Sequence, residues 1–244
     1  MMLELVFALV ATGAQPLWDS AEGNPTHPTH SYFTEYAIKE LRTDFPEVEE
    51  FKKPLIDGAN MELHETPYKW KGFYGLDRAD LERLRTEHRG TNPGTDDISG
   101  WWHLSVSVYR EGNKERAYFF AGVALHMIQD MGVPSHAKNM VHQGKPGQQD
   151  NFELLALQKW DPDFKSVNKQ DPGLSEPWRY YEFSKAWTLE DAADYKGINS
   201  FSKLWLIAPS SQKKLIRSRQ AKTAVVSYWS LRSMAKALQA VHPH

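Results

Sequence analysis

Apolar residues recur along most of this chain at the three- and four-residue spacing of amphipathic helices. "HSYFTEYAIKELR" (30–42) puts Phe33, Ala37, Ile38 and Leu41 on one stripe. "NKERAYFFAGVALHMIQDM" (113–131) is apolar around most of its circumference, as a helix at the centre of a core must be. "SQKKLIRSRQAKTAVVSYWSLRSMAKAL" (211–238) carries Ile216, Val225, Tyr228, Leu231 and Leu238 at core spacing. Strand signals are sparse. The one clear alternation is "LSVSVY" (104–109), with helical patterns on either side. Polar stretches rich in Pro and Gly at 88–100, 142–150 and 168–177 read as loops. There is no internal repeat and no clear linker, so the chain reads as one all-α, multi-helix domain with long functional loops.

The N-terminal stretch "MMLELVFALVATGAQPLW" departs from this pattern. Its apolar run, about ten residues long and ending at Thr12, Gly13 and Ala14, suits a secretory leader and is too short to span a bilayer. Glu4 stands where a basic residue is usual in such leaders. This stretch is expected to be a signal or pro-segment, and the protein to be secreted or periplasmic. No other segment approaches a transmembrane span.

Composition narrows the chemistry. The 244 residues are 41% hydrophobic and include nine tryptophans, enough for a substantial core. A formal net charge of −2 gives no electrostatic reason to expect binding along a nucleic-acid backbone. With no cysteine, disulfides, thiolate zinc sites and cysteine nucleophiles are excluded, and any metal must be held by imidazole and carboxylate. The ten histidines then matter most. Lys213, Lys214, Arg217, Arg219 and Lys222 on the last helix read as a solvated face.

The stretch "HMIQDMGVPSHAKN" (126–139) concentrates the candidate chemistry. His126 and Asp130 are four apart on a helix, so their side chains lie one turn apart on one face. Val123, Leu125, Met127 and Ile128 around them are apolar, and a carboxylate in such surroundings must be paired or bound to a cation. A buried His–Asp pair satisfies that requirement by itself. The continuation favours a metal: "GVP" breaks the helix, Pro134 starts another, and His136 returns beside the first pair. "DNFE" (150–153) then adds Asp150 and Glu153, and this density of ligands suits zinc.

This stretch resembles the zinc-dependent phospholipase C family, whose fold also serves the fungal single-strand-specific zinc nucleases. In that family a helix ends in H-x-x-x-D, followed by a proline and a further His near an Asn. "WDSAEGNPTHPTHSYFTEYAIKEL" (18–41) is similar to the family's opening, and the likeness extends over most of residues 18–240. The resemblance implies that residues 1–17 are a signal or pro-segment and that residues 18–244, beginning at Trp18, are an all-α catalytic domain holding up to three zinc ions. By it His126 and Asp130 hold one zinc, with Asp130 bridging to a second that is completed by His30 and the backbone of Trp18. A third takes His136 and Glu153, with Asp150 replacing the family's His, whose position is occupied by Gln149. Where the family carries an Asp after its first long helix, this chain has Leu63 flanked by Glu62 and His64. Asp77 stands near the family's following His. Glu62 and Asp77 are the carboxylates available to replace those ligands.

The implied reaction is hydrolysis of phospholipid headgroup esters by zinc-activated water, releasing diacylglycerol at a membrane surface. Glu62 is the candidate to orient or deprotonate that water. Glu22 matches a family Glu that meets a cationic headgroup. Tyr68, Trp70, Phe73 and Tyr74 either line a headgroup pocket through cation–π contact or belong to the core. His103 reads as a structural histidine. Two alternatives stand: a nuclease or nucleotidase on the same scaffold, with aromatics stacking on bases, and a non-enzymatic metal-dependent binding domain. The first would make nucleic acid a partner. The second is motivated by Leu63, Asp77 and Gln149 in ligand positions. Oligomeric state is not encoded in these patterns.

Overall fold

In the computed structural model, which describes residues 29–61, 73–77, 79, 95–140, 150–168, 170–197 and 199–241, the regular elements are all helical. In chain order they are α1 (Thr29–Leu41), α2 (Pro46–Glu50), α3 (Lys52–Ala59), α4 (Thr95–Arg110), α5 (Lys114–Asp130), α6 (Pro134–Ala137), α7 (Asn151–Leu157), α8 (Tyr180–Asp191) and α9 (Ser210–Ala240). Short 3-10 turns lie at Phe73–Gly75, Phe164–Ser166 and Pro177–Arg179. The expected all-α fold is what forms.

Helix α5 is the axis. Asn113 caps its start by accepting a hydrogen bond from the Arg116 amide at 3.2 Å, and every residue from 117 to 130 is buried. Helices α3, α4 and α9 pack on it, and α1 packs on α3 and α9. The closest approach is between α3 and α5, where Gly58 faces Gly122. A Cβ on Gly122 would meet the Leu55 carbonyl at 2.2 Å, and one on Gly58 would meet the Phe119 carbonyl at 2.1 Å. Only two glycines permit this backbone-to-backbone contact.

Two expectations are corrected. "LSVSVY" is not a strand but the second half of α4. The buried positions there are Ile98, Trp101, Trp102, Ser105, Val108 and Tyr109, which is helical spacing. The apparent alternation arose because the buried residue Ser105 is polar; its hydroxyl donates to the Ala117 carbonyl at 2.7 Å. The basic cluster of α9 is also not uniformly solvated. Arg219 is fully buried; its Nη1 donates to Asp191 at 2.9 Å and its Nε to the Gly132 carbonyl at 3.2 Å. Lys222 donates to the other Asp191 oxygen at 2.6 Å. This network ties α9 to the end of α8 and to the turn after α5.

Among the described residues, no helix is long and apolar enough to cross a membrane. A second polar junction holds α2 to the α4–α5 hairpin. Glu47 accepts hydrogen bonds from Lys114 at 2.6 Å, Tyr109 at 2.8 Å and Tyr118 at 3.2 Å. Burial alone raises the Glu47 pKa, but these donors outweigh it and hold the carboxyl below its ordinary value.

Candidate metal centre

The C-terminal turn of α5 meets the first turn of α1 beside the end of α3. His30, His126 and Asp130, all buried, come together there, with ligand atoms within 4.8 Å of one another. The His30 and His126 rings stack with centroids 4.3 Å apart. Asp130 lies across both: its Oδ1 is 3.4 Å from His30 Nε2 and its Oδ2 is 3.4 Å from His126 Nε2.

The far side of each ring fixes which nitrogen faces inward. His126 Nδ1 lies 2.9 Å from the Ala59 carbonyl, which can only accept, so Nδ1 carries the proton. The α3–α5 glycine contact is what brings that carbonyl within reach. His30 Nδ1 lies 2.7 Å from Gln129 Oε1. The Gln129 amide nitrogen donates to Thr34 Oγ1 at 3.1 Å, which orients its oxygen toward His30. Both neutral imidazoles therefore turn Nε2 lone pairs toward an anionic carboxylate, and the buried His30 Nε2 makes no hydrogen bond.

An ordinary buried ion pair would close these gaps to about 2.7–2.9 Å. The observed 3.4 Å separations, each to a different Asp130 oxygen, are longer than that and leave the three groups gathered around one point. The donor set fits a metal ion: two imidazoles whose other nitrogens are held by an amide and a carbonyl, with one carboxylate. This cluster can bind one metal ion.

Protonation favours the same state. Burial first, and then the neighbouring His126, push the His30 pKa down, so the ring stays neutral and able to ligate. Burial opposes ionisation of Asp130, but the neighbouring His126 and His136, and then His30, outweigh it and hold the carboxyl well below its usual range.

Further ligand candidates lie close by. Pro134 starts α6 and returns His136 to α7, where its Nε2 is 3.6 Å from Glu153 Oε1. Asp150 caps α7, accepting from the Phe152 amide at 2.9 Å, and both its oxygens accept from the Tyr195 hydroxyl at 2.9 and 2.8 Å. Burial, and then the charge of Glu153, raise the Asp150 pKa. Asp77 is exposed and does not join the three-residue cluster. Trp18, Glu22, Glu62, Leu63, His64, Tyr68, Trp70 and Gln149 lie outside the described residues.

Two other assignments resolve. Tyr74 stacks on Phe119 with centroids 4.8 Å apart and donates to Asp57 at 2.6 Å, which is a packing role. His103 is exposed at the surface and edges against Trp178 at 5.2 Å. Three participants escaped the sequence reading: Gln129, the Ala59 carbonyl and Tyr195. Gln129 alone left a trace, as a neutral amide inside an apolar helix next to Asp130. A backbone carbonyl leaves none.

No protein-family model matches the chain. The chain is 27% identical over 127 residues to Phospholipase C of Listeria monocytogenes, an alignment covering 48% of this chain and 44% of that protein. It thus spans less than half the length of that relative. A distant phospholipase C and a buried His–His–Asp cluster that can hold a metal ion fit a phospholipase C-like hydrolase.

Proposed function

We propose that this chain is a zinc-dependent hydrolase of phospholipid headgroup esters. The observation that carries the reading is the convergence of two inward-facing Nε2 atoms and the Asp130 carboxylate in one buried cluster, within 4.8 Å of one another. The distant likeness to a protein named Phospholipase C supports the choice of ester.

His30, His126 and Asp130 would hold metal together, with Asp130 shared between two ions, as the family resemblance implies. His136 and Glu153, with Asp150 beside them, would hold a further ion. The Trp18 backbone and Glu62 would complete the set, as the family resemblance implies. Zinc supplies Lewis-acid activation of water and neutralises charge on the phosphoryl oxygens. Gln129 and the Ala59 carbonyl keep the imidazoles oriented. Glu62 follows Ala59 by three residues in the sequence. It is the carboxylate assigned to take the proton from the attacking water. The oxygen of that water bonds to phosphorus, the bond to the glycerol oxygen breaks, and the diacylglycerol alkoxide takes up a proton.

Removal of residues 1–17 during export belongs to this reading, because a Trp18 amine chelates metal only when it is free. The catalytic domain is then residues 18–244, and the protein acts outside the cytoplasm. The test pairs zinc analysis with product assays on phosphatidylcholine and on single-stranded DNA. The expected result is zinc-dependent release of diacylglycerol that Asp130→Asn abolishes. Zinc-loaded protein that leaves phospholipid intact, or that degrades the DNA instead, would overturn the assignment.

A further inference from the structure

Four large hydrophobic residues are exposed among the described ones, and three of them share one loop between α8 and α9: Leu204 at 47%, Leu206 at 88% and Ile207 at 70% exposure. The loop is braced. Gln158, just past α7, donates to the Lys203 carbonyl at 2.7 Å and accepts from the Trp205 amide at 2.8 Å. The Ala208 amide closes the turn onto the Trp205 carbonyl at 3.2 Å, and Gln212 clamps the approach through the Ser202 amide at 2.9 Å. A fixed backbone thus holds two aliphatic side chains out in water, against the hydrophobic effect.

The surroundings say what would receive them. Trp205 lies at the base of the tip with the ammonium groups of Lys159 and Lys213 over its ring at 5.8 and 5.9 Å. Lys203 and Lys214 are exposed on either side of the tip in sequence. No Asp or Glu follows Asp194, so the tip and its sequence flanks carry no carboxylate of their own, although Asp161 pairs with Lys159 and Arg217 at 3.3 Å and offsets part of the basic charge. An aliphatic tip, an amphipathic aromatic beneath it and a basic rim are the elements that seat a protein in an anionic bilayer interface. The net excess of lysines around the tip favours an anionic surface as its partner.

We propose that residues 203–207 form a membrane-docking tip that inserts Leu206 and Ile207 into an anionic phospholipid surface. The tip is anchored at Gln158, five residues along from Glu153, which is about 8 Å of helical rise. Docking would hold the candidate metal centre near the lipid surface. The choice of partner rests on the phospholipid reading, and binding can be measured apart from turnover.

The test is sedimentation of the full chain with vesicles of phosphatidylcholine containing phosphatidylserine, alongside turnover of a monomeric, water-soluble phosphocholine ester. Leu206→Ser/Ile207→Ser should weaken vesicle binding on the order of a hundredfold, about tenfold for each aliphatic side chain kept out of the interface. Its melting curve and turnover of the soluble ester should be unchanged. Lys203→Gln and Lys214→Gln should each weaken binding about fivefold on the anionic vesicles and little on pure phosphatidylcholine. Wild-type affinity in the double variant would overturn the proposal, as would self-association that the double variant abolishes while vesicle binding persists. Loop-dependent vesicle binding without any ester hydrolysis would uphold the tip and refute only the enzymatic reading.

Discussion

Replacing Gly122 by alanine should damage both stability and metal binding, and the structure sets the size of each effect. The new Cβ would lie 2.2 Å from the Leu55 carbonyl oxygen, 2.9 Å from the Ala59 amide nitrogen and 3.0 Å from Gly58 Cα. Carbon–oxygen contacts settle at about 3.3 Å or more, so α3 and α5 must part by about 1 Å. A gap of that size forfeits a quarter to a half of each contact's dispersion energy, and overpacking costs about 1–3 kcal/mol. The cost falls at the upper end because the obstructing atoms are backbone, while alanine's helix propensity returns up to about 1 kcal/mol. The net loss is about 2 kcal/mol, which for a domain of this size lowers Tm by roughly 4–8 °C. The same separation pulls the Ala59 carbonyl from His126 Nδ1, now at 2.9 Å, and releases the ring's orientation. Loss of such a supporting bond weakens metal binding about 10–100-fold. Thermal unfolding and zinc titration of Gly122→Ala should be set beside Gly112→Ala, whose Cβ would meet nothing within 4 Å. The comparison variant carries only the left-handed backbone cost, about 1–2 kcal/mol, and should keep wild-type zinc affinity. If Gly122→Ala is as stable as wild type and binds zinc equally well, the helix contact does not position the site.

Complete removal of bound metal should lower Tm markedly, since a ligand at a hundred times its Kd stabilises the folded state by about 2.7 kcal/mol. An unchanged melt after verified removal would count against the site. The Glu47 pKa lies below its ordinary 4.5 in the folded protein, so its contribution is present above the unfolded pKa and is lost as pH falls through the folded one. Stability of wild type relative to Glu47→Gln should hold steady above about pH 4.5 and shrink below it, as read by urea unfolding across pH. Arg219→Ala should cost about 3 kcal/mol, because it removes a buried guanidinium and weakens the support of Asp191, which keeps only Lys222. A denaturation midpoint within error of wild type would show that the buried network contributes little.

Much of the scaffold was readable from hydrophobic spacing. The segments expected at 30–42, 113–131 and 211–238 became Thr29–Leu41, Lys114–Asp130 and Ser210–Ala240. Long periodic segments are legible because one buried face sets their period. "LSVSVY" misled because a buried serine imitates a solvent-facing one until its acceptor, the Ala117 carbonyl, is known. Arg219 misled for a related reason: nothing local to α9 reveals that Asp191 and the Gly132 carbonyl await it. At the centre, the His126–Asp130 spacing and the restart at Pro134 were visible in the chain. That His30 joins them came from the family resemblance, since only tertiary packing brings residues 30 and 126 together. The parts that tune the metal site were hidden because a carbonyl, an amide and a tyrosine hydroxyl carry no metal-ligand signature.

The central claim is that His30, His126 and Asp130 bind zinc as a unit. Calorimetric zinc titration of metal-stripped wild type and Asp130→Asn, with folding of both verified by circular dichroism, tests it most directly. Tight zinc binding by wild type, with loss of more than one equivalent in Asp130→Asn, is the predicted result, because this carboxylate faces both imidazoles at 3.4 Å and is the proposed bridge. Identical stoichiometry and affinity in the two proteins, or no binding by folded wild type, would contradict it.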